Sequence, residues 1–324
     1  SGTFMGNFTM AEGINVYGSY DTTTNQPDYK NRTILNGDGS RVISQSGQYS
    51  IPTTWSGFEI MNGGKGTGTN DNFGGGVLLY NNGIIDKCYI HGNKKNGQWD
   101  GIHHGGGVAC YQGGIIMNSI ITDNSSMSNG AGVFLQSSGQ VINCVIANNS
   151  GANGGIAMLY GGTMTNSIVW KNALSGSATY SAIDGDNITG EGNIKINSNN
   201  DAVDGPNFTD WEHGDFSLKS SSPCIDKGDN SAVMTEDDYL GNPRIRCQQV
   251  DMGAYESQKT YVYNEETGEI SLMEWTPAFL DDVVPTDITS IDATTIQIPS
   301  GAMQPAGLNP NSLIYVNSLE NTGS

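Results

Sequence analysis

"GGGVLLYNNGIIDKCYIHGN" (residues 74–93) has a second copy 31 residues later, "GGGVACYQGGIIMNSIITDN" (residues 105–124). Four segments of 17 residues align without gaps, and these cassettes are residues 77–93, 108–124, 133–149 and 156–172. The linkers between them shorten from fourteen residues to eight and then to six, while the cassettes keep their length. An earlier degenerate copy, "SGFEIMNG" (residues 56–63), places Phe58 where the first full cassette has Cys88. The chain therefore contains at least five copies of one repeat, and the repeat determines the fold.

The apolar residues within a cassette alternate, as they do in β-strands. In the first cassette they are Val77, Leu79, Ile85, Cys88 and Ile90. A glycine turn interrupts the pattern at the same place in every copy, namely Gly83, Gly114, Gly139 and Gly162. A unit this short cannot bury its apolar face alone, whereas units stacked about 4.8 Å apart bury one continuous column. The pattern predicts an all-β parallel β-helix in which Val77, Val108, Val133 and Ile156 lie in one file.

The last residue of each cassette is asparagine. These residues are Asn93, Asn124, Asn149 and Asn172. Stacked asparagines at a sharp corner bond to turn backbone and to one another. We interpret them as structural residues.

The acidic composition restricts the partners. With 33 acidic and 14 basic side chains the formal net charge is −19, which repels nucleic acid and anionic membrane surfaces. No apolar run approaches the roughly 18 residues of a membrane-spanning helix. The five cysteines are too few for a disulfide framework. We interpret Cys88, Cys110 and Cys144 as small core residues and leave a pairing of Cys224 with Cys247 open.

Beyond the cassettes the sequence changes character. "NFTDWEHGDFSLKSSSPCIDKGDN" (residues 207–230) is followed by "DDYLGNPRIRCQQVDMGAYE" (residues 237–256). These motifs resemble the choice-of-anchor terminal segment of right-handed β-helix proteins. The opening "GTFMGNFTMAEGINVYGSY" (residues 2–20) is similar to the first coils of secreted β-helix proteins with polymorphic-outer-membrane-protein repeats.

The resemblance implies a single-stranded, right-handed, pectin-lyase-like solenoid. It also implies a Bacteroidetes protein that is secreted or held at the outer surface of a Gram-negative cell. We expect the solenoid to span residues 1–257. Its motif at 216–256 is expected to cap the open end of the column, with Asp226 and Asp251 as structural residues. Residues 258–324 form a C-terminal β-rich extension or begin a further module, and "KTYVYNEETGEISLMEW" (residues 259–275) predicts a hairpin.

The longest linker, "KKNGQWDGIHHGGG" (residues 94–107), holds the strongest candidates for chemistry. Trp99, with Lys94 and Lys95, is a candidate ligand-binding group, since an indole stacks on a sugar ring. Asp100, His103 and His104 are candidates for acid–base catalysis or metal binding. No third ligand stands at metal spacing, so we predict no metal site and no cofactor. Calcium is the alternative that the acidic turns near Asn36 and Asp184 leave open.

Two functions remain open. The first is a non-catalytic extracellular β-helix protein whose loops serve adhesion or glycan binding. The alternative is a polysaccharide lyase or glycoside hydrolase, although the four arginines, Arg32, Arg41, Arg244 and Arg246, do not form the Arg-rich signature of pectate lyases. We favour the first, and expect a monomer whose partner is a polysaccharide, or a glycan or protein of a host or bacterial surface. Carboxylates clustered near Trp99 would favour the enzyme instead.

Overall fold

The computed structural model describes residues 2–24, 26–66, 71–95, 103–186, 188–246, 249–263, 270–274 and 315–316. Within these ranges the fold is all-β, and the only helices are two short 3-10 turns, Trp211–His213 and Asn230–Ala232. No helix in the described part of the chain has both the length and the apolar character needed to cross a membrane.

Three long parallel sheets dominate the structure. Sheet I has nine strands: Thr3–Met5, Thr33–Asn36, Phe58–Met61, Tyr89–His91, Ile120–Thr122, Val145–Ala147, Ile168–Trp170, Ala182–Asp184 and Ile194–Ile196. Sheet II has seven: Phe8–Thr9, Ile43–Ser44, Val77–Leu79, Val108–Tyr111, Val133–Gln136, Ile156–Leu159 and Leu174–Ser175. Sheet III also has seven: Val16–Tyr17, Thr53–Ser56, Gly83–Asp86, Ile115–Met117, Gln140–Ile142, Thr163–Thr165 and Ala178–Thr179.

Four smaller sheets accompany them. Sheet IV is parallel and lies in the linkers, with strands Lys94–Lys95, Ser125–Asn129 and Ser150–Asn153. Two antiparallel hairpins pair Tyr20–Asp21 with Gln26–Pro27 and Phe208–Asp210 with Asp215–Leu218. Lys259–Tyr263 pairs antiparallel with Ile270–Glu274, which confirms the predicted hairpin, and Tyr315–Val316 adds a parallel strand to it.

The chain visits sheets II, III and I in turn, and we call one such visit a round. Val77 pairs with Val108, Val108 with Val133, and Val133 with Ile156, so the predicted file is confirmed. The inward side chains of the cassettes are fully buried in one apolar cluster that runs through successive rounds. Constant cassette length keeps this register, because the linkers absorb the length differences outside the column.

The buried cysteines belong to this packing. Cys88, Cys110, Cys144 and Cys224 are free and completely buried. Burial raises the pKa of the Cys88, Cys144 and Cys224 thiols to about 12. These thiols therefore stay protonated and behave as small apolar groups. Cys224 forms no disulfide, and Cys247 lies outside the described residues.

The asparagines that end the cassettes form a hydrogen-bonded ladder. Asn93 Nδ2 donates to Asn124 Oδ1 at 2.9 Å, Asn124 Nδ2 to Asn149 Oδ1 at 3.0 Å, and Asn149 Nδ2 to Asn172 Oδ1 at 3.0 Å. Each amide oxygen in these bonds also accepts the backbone N–H of the preceding asparagine in the ladder. The ladder thus satisfies backbone donors at a corner that no strand pairing reaches.

A column of glycines makes room for this ladder. The residue before each cassette is Gly76, Gly107, Gly132 or Gly155, and a Cβ there would press into the asparagine side chain. At Gly132 it would lie 2.7 Å from Asn149 Nδ2. Each cassette therefore needs a glycine immediately before its first residue, because a larger residue there would collide with the asparagine that ends the same cassette.

Gly132→Ala is expected to lower the free energy of unfolding by about 1–3 kcal/mol, because the new methyl group must displace Asn149. Urea unfolding followed by circular dichroism measures the change. Gly47→Ala is the matched control, since a Cβ at Gly47 meets nothing within 4 Å. Equal stability of the two variants would contradict the steric explanation.

The corners between sheets III and I also repeat. Lys87, Asn118, Asn143 and Asn166 occupy equivalent corners with φ between 45° and 53°. Asparagine tolerates this left-handed conformation better than most residues, which explains why three of these four corners have an asparagine. Their side chains point to the C-terminal part of the fold and bind it.

We call residues 197–256 the terminal segment, and its described residues, 197–246 and 249–256, lie along the side of the stack. Phe208, Phe216 and Met252 pack with the outward side chains Ile120, Val145, Ile168 and Trp170 of sheet I in a second buried cluster. The corner residues fasten the segment, with Asn118 Nδ2 donating to Thr235 Oγ1 at 2.8 Å and Asn166 Nδ2 to the Asp229 carbonyl at 2.9 Å. The motif at 216–256 was expected over the end of the column, whereas these contacts place it on the outer face of sheet I. The reason is that the outward residues of sheet I are apolar, and the terminal segment removes them from water by packing over them.

Candidate functional site

The described part of the predicted linker is mostly buried. The Lys95 side chain is 1 % exposed, with Nζ 3.2 Å from Asp71 Oδ1, whereas Lys94 is exposed. His103 and His104 are both buried, and the His104 ring stacks on Phe134 with centroids 4.2 Å apart. Burial lowers the pKa of His104, which favours the neutral ring. Trp99 and Asp100 lie outside the described residues.

His104 borders a third apolar cluster, on the outer face of sheet II. Its buried members are Leu78, Tyr80, Ala109, Phe134 and Ala157, and its half-buried members include Phe73 and Tyr111. Phe73 lies 5.6 Å from His104 and 4.8 Å from Tyr111, centroid to centroid. His104 therefore contributes to packing, and Lys95 forms an ion pair with Asp71.

Stacking brings together a second group of side chains, on the outer face of sheet I. We call Glu59, Tyr89, His91 and Asp123 the Tyr89 patch. Glu59 pairs with Tyr89 in neighbouring strands, and Glu59 Oε1 lies 2.9 Å from His91 Nε2. The Glu59 and His91 side chains are 24 % and 21 % exposed. The Tyr89 and His91 rings stack with centroids 4.3 Å apart and planes inclined by 27°.

Two carboxylates define the electrostatics of the Tyr89 patch. Asp123 is exposed at the corner after Thr122, whose hydroxyl donates to Asp123 Oδ2 at 2.9 Å. Burial, with the charges of Asp123 and Glu59, raises the pKa of Tyr89 to about 12. The phenol is therefore a hydrogen-bond donor throughout the physiological pH range.

The terminal segment adds an aromatic border to this patch. Gly214 lies beside Tyr89, since a Cβ at Gly214 would be 3.2 Å from the phenol oxygen. In the same turn the half-buried Trp211 packs against Trp170, with centroids 5.0 Å apart. Lys171 Nζ lies 3.8 Å from the centroid of Trp211 and 4.3 Å from that of Trp170. The turn at 211–214 thus connects the Tyr89 patch with a cation–π site.

The Tyr89 patch is not evident along the chain, although the repeat alignment contains part of the information needed to find it. His91 and Asp123 look isolated along the chain, and Glu59 belongs to the degenerate copy. Aligning "SGFEIMNG" with the first cassette places Glu59 beside Tyr89, one strand away from His91. Trp211 carries no such signal, because the terminal segment lies outside the repeat.

The acidic residues of the terminal segment serve its internal structure. Asp251 accepts the backbone N–H groups of Asp226 and Ser257, both at 2.7 Å. Glu256 accepts the N–H of Asp251 at 2.9 Å and lies 3.7 Å from Arg244 Nη2. Asp226 and Asp251 thus take part in the structure of the motif, on the side of the stack.

Burial raises the pKa of Asp251 to about 7 and the pKa of Glu256 to about 9. Carboxyls whose pKa is raised by folding stabilise the fold fully below about pH 4 and lose this contribution as the pH rises through the raised values. The free energy of unfolding is therefore expected to fall between pH 5 and pH 9. Glu256→Gln should flatten this dependence in urea titrations, and an unchanged slope would contradict the assignment.

Among the described residues, no group of three or more His, Cys, Asp or Glu side chains is arranged to hold a metal ion. No protein-family model, curated protein or solved structure matches the chain. The function therefore has to be inferred from the geometry of the candidate sites.

Proposed function

We propose that this chain is a right-handed, single-stranded parallel β-helix protein of the pectin-lyase-like kind. The cyclic order of the three parallel sheets and the direct pairing of equivalent cassette residues support this architecture. The motifs at 207–256 support a secreted protein, or one held at the outer surface of a Gram-negative bacterium. Its proposed activity is to bind glycans, as a monomer, without converting them.

The Tyr89 patch is the observation that carries glycan binding. The Tyr89 and His91 rings stack on each other, and the half-buried pair leaves part of its aromatic surface exposed on the outer face of sheet I. Aromatic faces pack against the C–H face of a pyranose, and charged acceptors form the strong hydrogen bonds to hydroxyl groups. Glu59 and Asp123 supply such acceptors on the same patch. A partly exposed aromatic surface with polar groups of this kind suits a sugar.

A glycoside hydrolase is the second candidate, because Glu59 and His91 form a pair at 2.9 Å that can relay a proton. A lyase fits less well, since its uronate substrate would approach the carboxylates of Glu59 and Asp123. Release of reducing ends from the bound glycan would decide for the hydrolase. Binding without release decides for the non-catalytic protein.

A glycan array followed by titration calorimetry tests the proposal. Tyr89→Ala is expected to weaken binding roughly tenfold, because stacking on one aromatic ring contributes about 0.5–1.5 kcal/mol beyond the contact area. Tyr160→Ala is the matched control, since Tyr160 is 86 % exposed on a turn between sheets II and III. Unchanged binding by Tyr89→Ala would overturn the assignment of the site.

A further inference from the structure

We infer that the Tyr89 patch selects glycans with free amino groups, that is, cationic amino sugars rather than N-acetylated sugars or uronates. This inference rests on the proposed function, since it specifies the ligand of the same patch. It follows from two features: the charges around the patch and the way aromatic rings beside it hold an ammonium group.

The described charges around the patch are predominantly negative. Glu59 and Asp123 belong to it, and the adjoining turn carries Asp210, Glu212 and Asp215. Cationic groups near the patch are already engaged. His91 bonds to Glu59, His213 bonds to Asp210 at 2.9 Å, and Lys171 lies on two indole rings. Arg32 donates to the Lys87 carbonyl and lies over the Tyr239 ring. A ligand cation thus meets carboxylates, whereas a uronate meets charges of its own sign.

The bordering aromatic rings already hold one ammonium group. Lys171 Nζ lies over both Trp170 and Trp211, at distances typical of cation–π contacts. The part of the Tyr89 ring that His91 leaves uncovered is an aromatic surface of this kind beside the two carboxylates. A sugar stacked on Tyr89 can place a ring ammonium against Glu59 or Asp123, so that stacking and charge act on one residue of the glycan.

Two ligands that differ only in their amino groups test whether the ligand's positive charge determines binding. Glucosamine hexamer and N-acetylglucosamine hexamer have the same backbone, and only the first carries ammonium groups. At low salt we expect the glucosamine hexamer to bind at least tenfold more tightly, and we expect this preference to shrink at 0.5 M salt as the charges are screened. Oligogalacturonate is expected to bind more weakly than either hexamer.

Variants then assign the preference to the patch. Glu59→Gln combined with Asp123→Asn should weaken hydrogen bonding to both hexamers alike and remove the preference for glucosamine, so that the two hexamers bind this variant with equal affinity. Asp38→Asn is the control for the general charge of −19, because Asp38 is an exposed carboxylate outside the patch, and this variant should keep the full preference. If the double variant keeps it as well, the inference is overturned.

The outcomes separate this inference from the proposed function. Equal binding of the two hexamers, or tighter binding of oligogalacturonate, overturns the selection for amino sugars and leaves glycan binding intact. Failure of every glycan to bind overturns both. Tyr89→Ala should weaken both hexamers alike, which distinguishes loss of the stacking surface from loss of the charge.

Discussion

Asn124→Ala is expected to lower the free energy of unfolding by roughly 3–4 kcal/mol. The Asn124 side chain accepts the N–H of Asn93 at 3.1 Å and donates to the Ile90 carbonyl at 2.9 Å, and both bonds are buried. It also joins Asn93 to Asn149 in the ladder. A buried polar group left without a partner costs about 1–3 kcal/mol. Alanine takes the acceptor from the Asn93 N–H and a donor from the Ile90 carbonyl, and it leaves a cavity where the amide was. Because Asn93 and Asn124 are completely buried, solvent water does not reach this corner to replace the lost hydrogen bonds.

Chemical unfolding of Asn124→Ala beside Asn81→Ala measures this effect. Asn81 is an exposed asparagine on the turn between sheets II and III, so its replacement should change stability by less than about 0.5 kcal/mol. A loss below about 1 kcal/mol in Asn124→Ala would show that the ladder contributes little to stability.

Arg244→Met is expected to have an effect of similar size, about 3–5 kcal/mol, because three buried carbonyls each lose a hydrogen bond from a charged donor. The Arg244 side chain is completely buried and donates to the carbonyls of Asp251, Gly253 and Ala254 at 2.8–3.1 Å. Its removal takes the side-chain donor from the Gly253 carbonyl and leaves Glu256 without its cation. The Asp251 and Ala254 carbonyls each lose one donor and keep another. We therefore expect the terminal segment to loosen from sheet I.

Limited proteolysis and thermal unfolding report both consequences. Arg244→Met should be cleaved first within the terminal segment, whereas Lys227→Met, a change at an exposed lysine, should resist cleavage as the wild type does. Above about pH 9, where Glu256 is ionised, adding Glu256→Gln to Arg244→Met should recover part of the stability, because it removes a buried charge. A double variant no more stable than Arg244→Met would argue against the ionic part of this explanation.

The repeat made the interior predictable. Equivalent residues in gap-free cassettes can stack in one register only, since a shift by one residue would turn every apolar side chain outward. The file from Val77 to Ile156 and the burial of Cys88 and Cys144 follow from this constraint. The same register also fixes which outward side chains are neighbours on the surface, and it places Glu59 beside Tyr89.

The position of the terminal segment could not be derived in this way, because it docks once and shares no period with the cassettes. A signal was nevertheless present in "SIIT", "CVIA" and "SIVW", where sheet I strands are apolar at consecutive positions. Strands of this kind are buried on both faces. Ile120, Val145 and Ile168 point outward and are fully buried, so a cover over sheet I was implied, although the residues that form it were not.

The terminal segment also changes how the molecule should respond to heat. In a linear array each unit touches only its neighbours, and such arrays can fray from their ends. Here the terminal segment contacts one corner residue in each of four consecutive rounds: Lys87, Asn118, Asn143 and Asn166. Opening any one of these rounds breaks its own contact with the terminal segment, and this weakens the attachment of the segment to the other rounds. The central rounds should therefore melt cooperatively, in a single calorimetric transition.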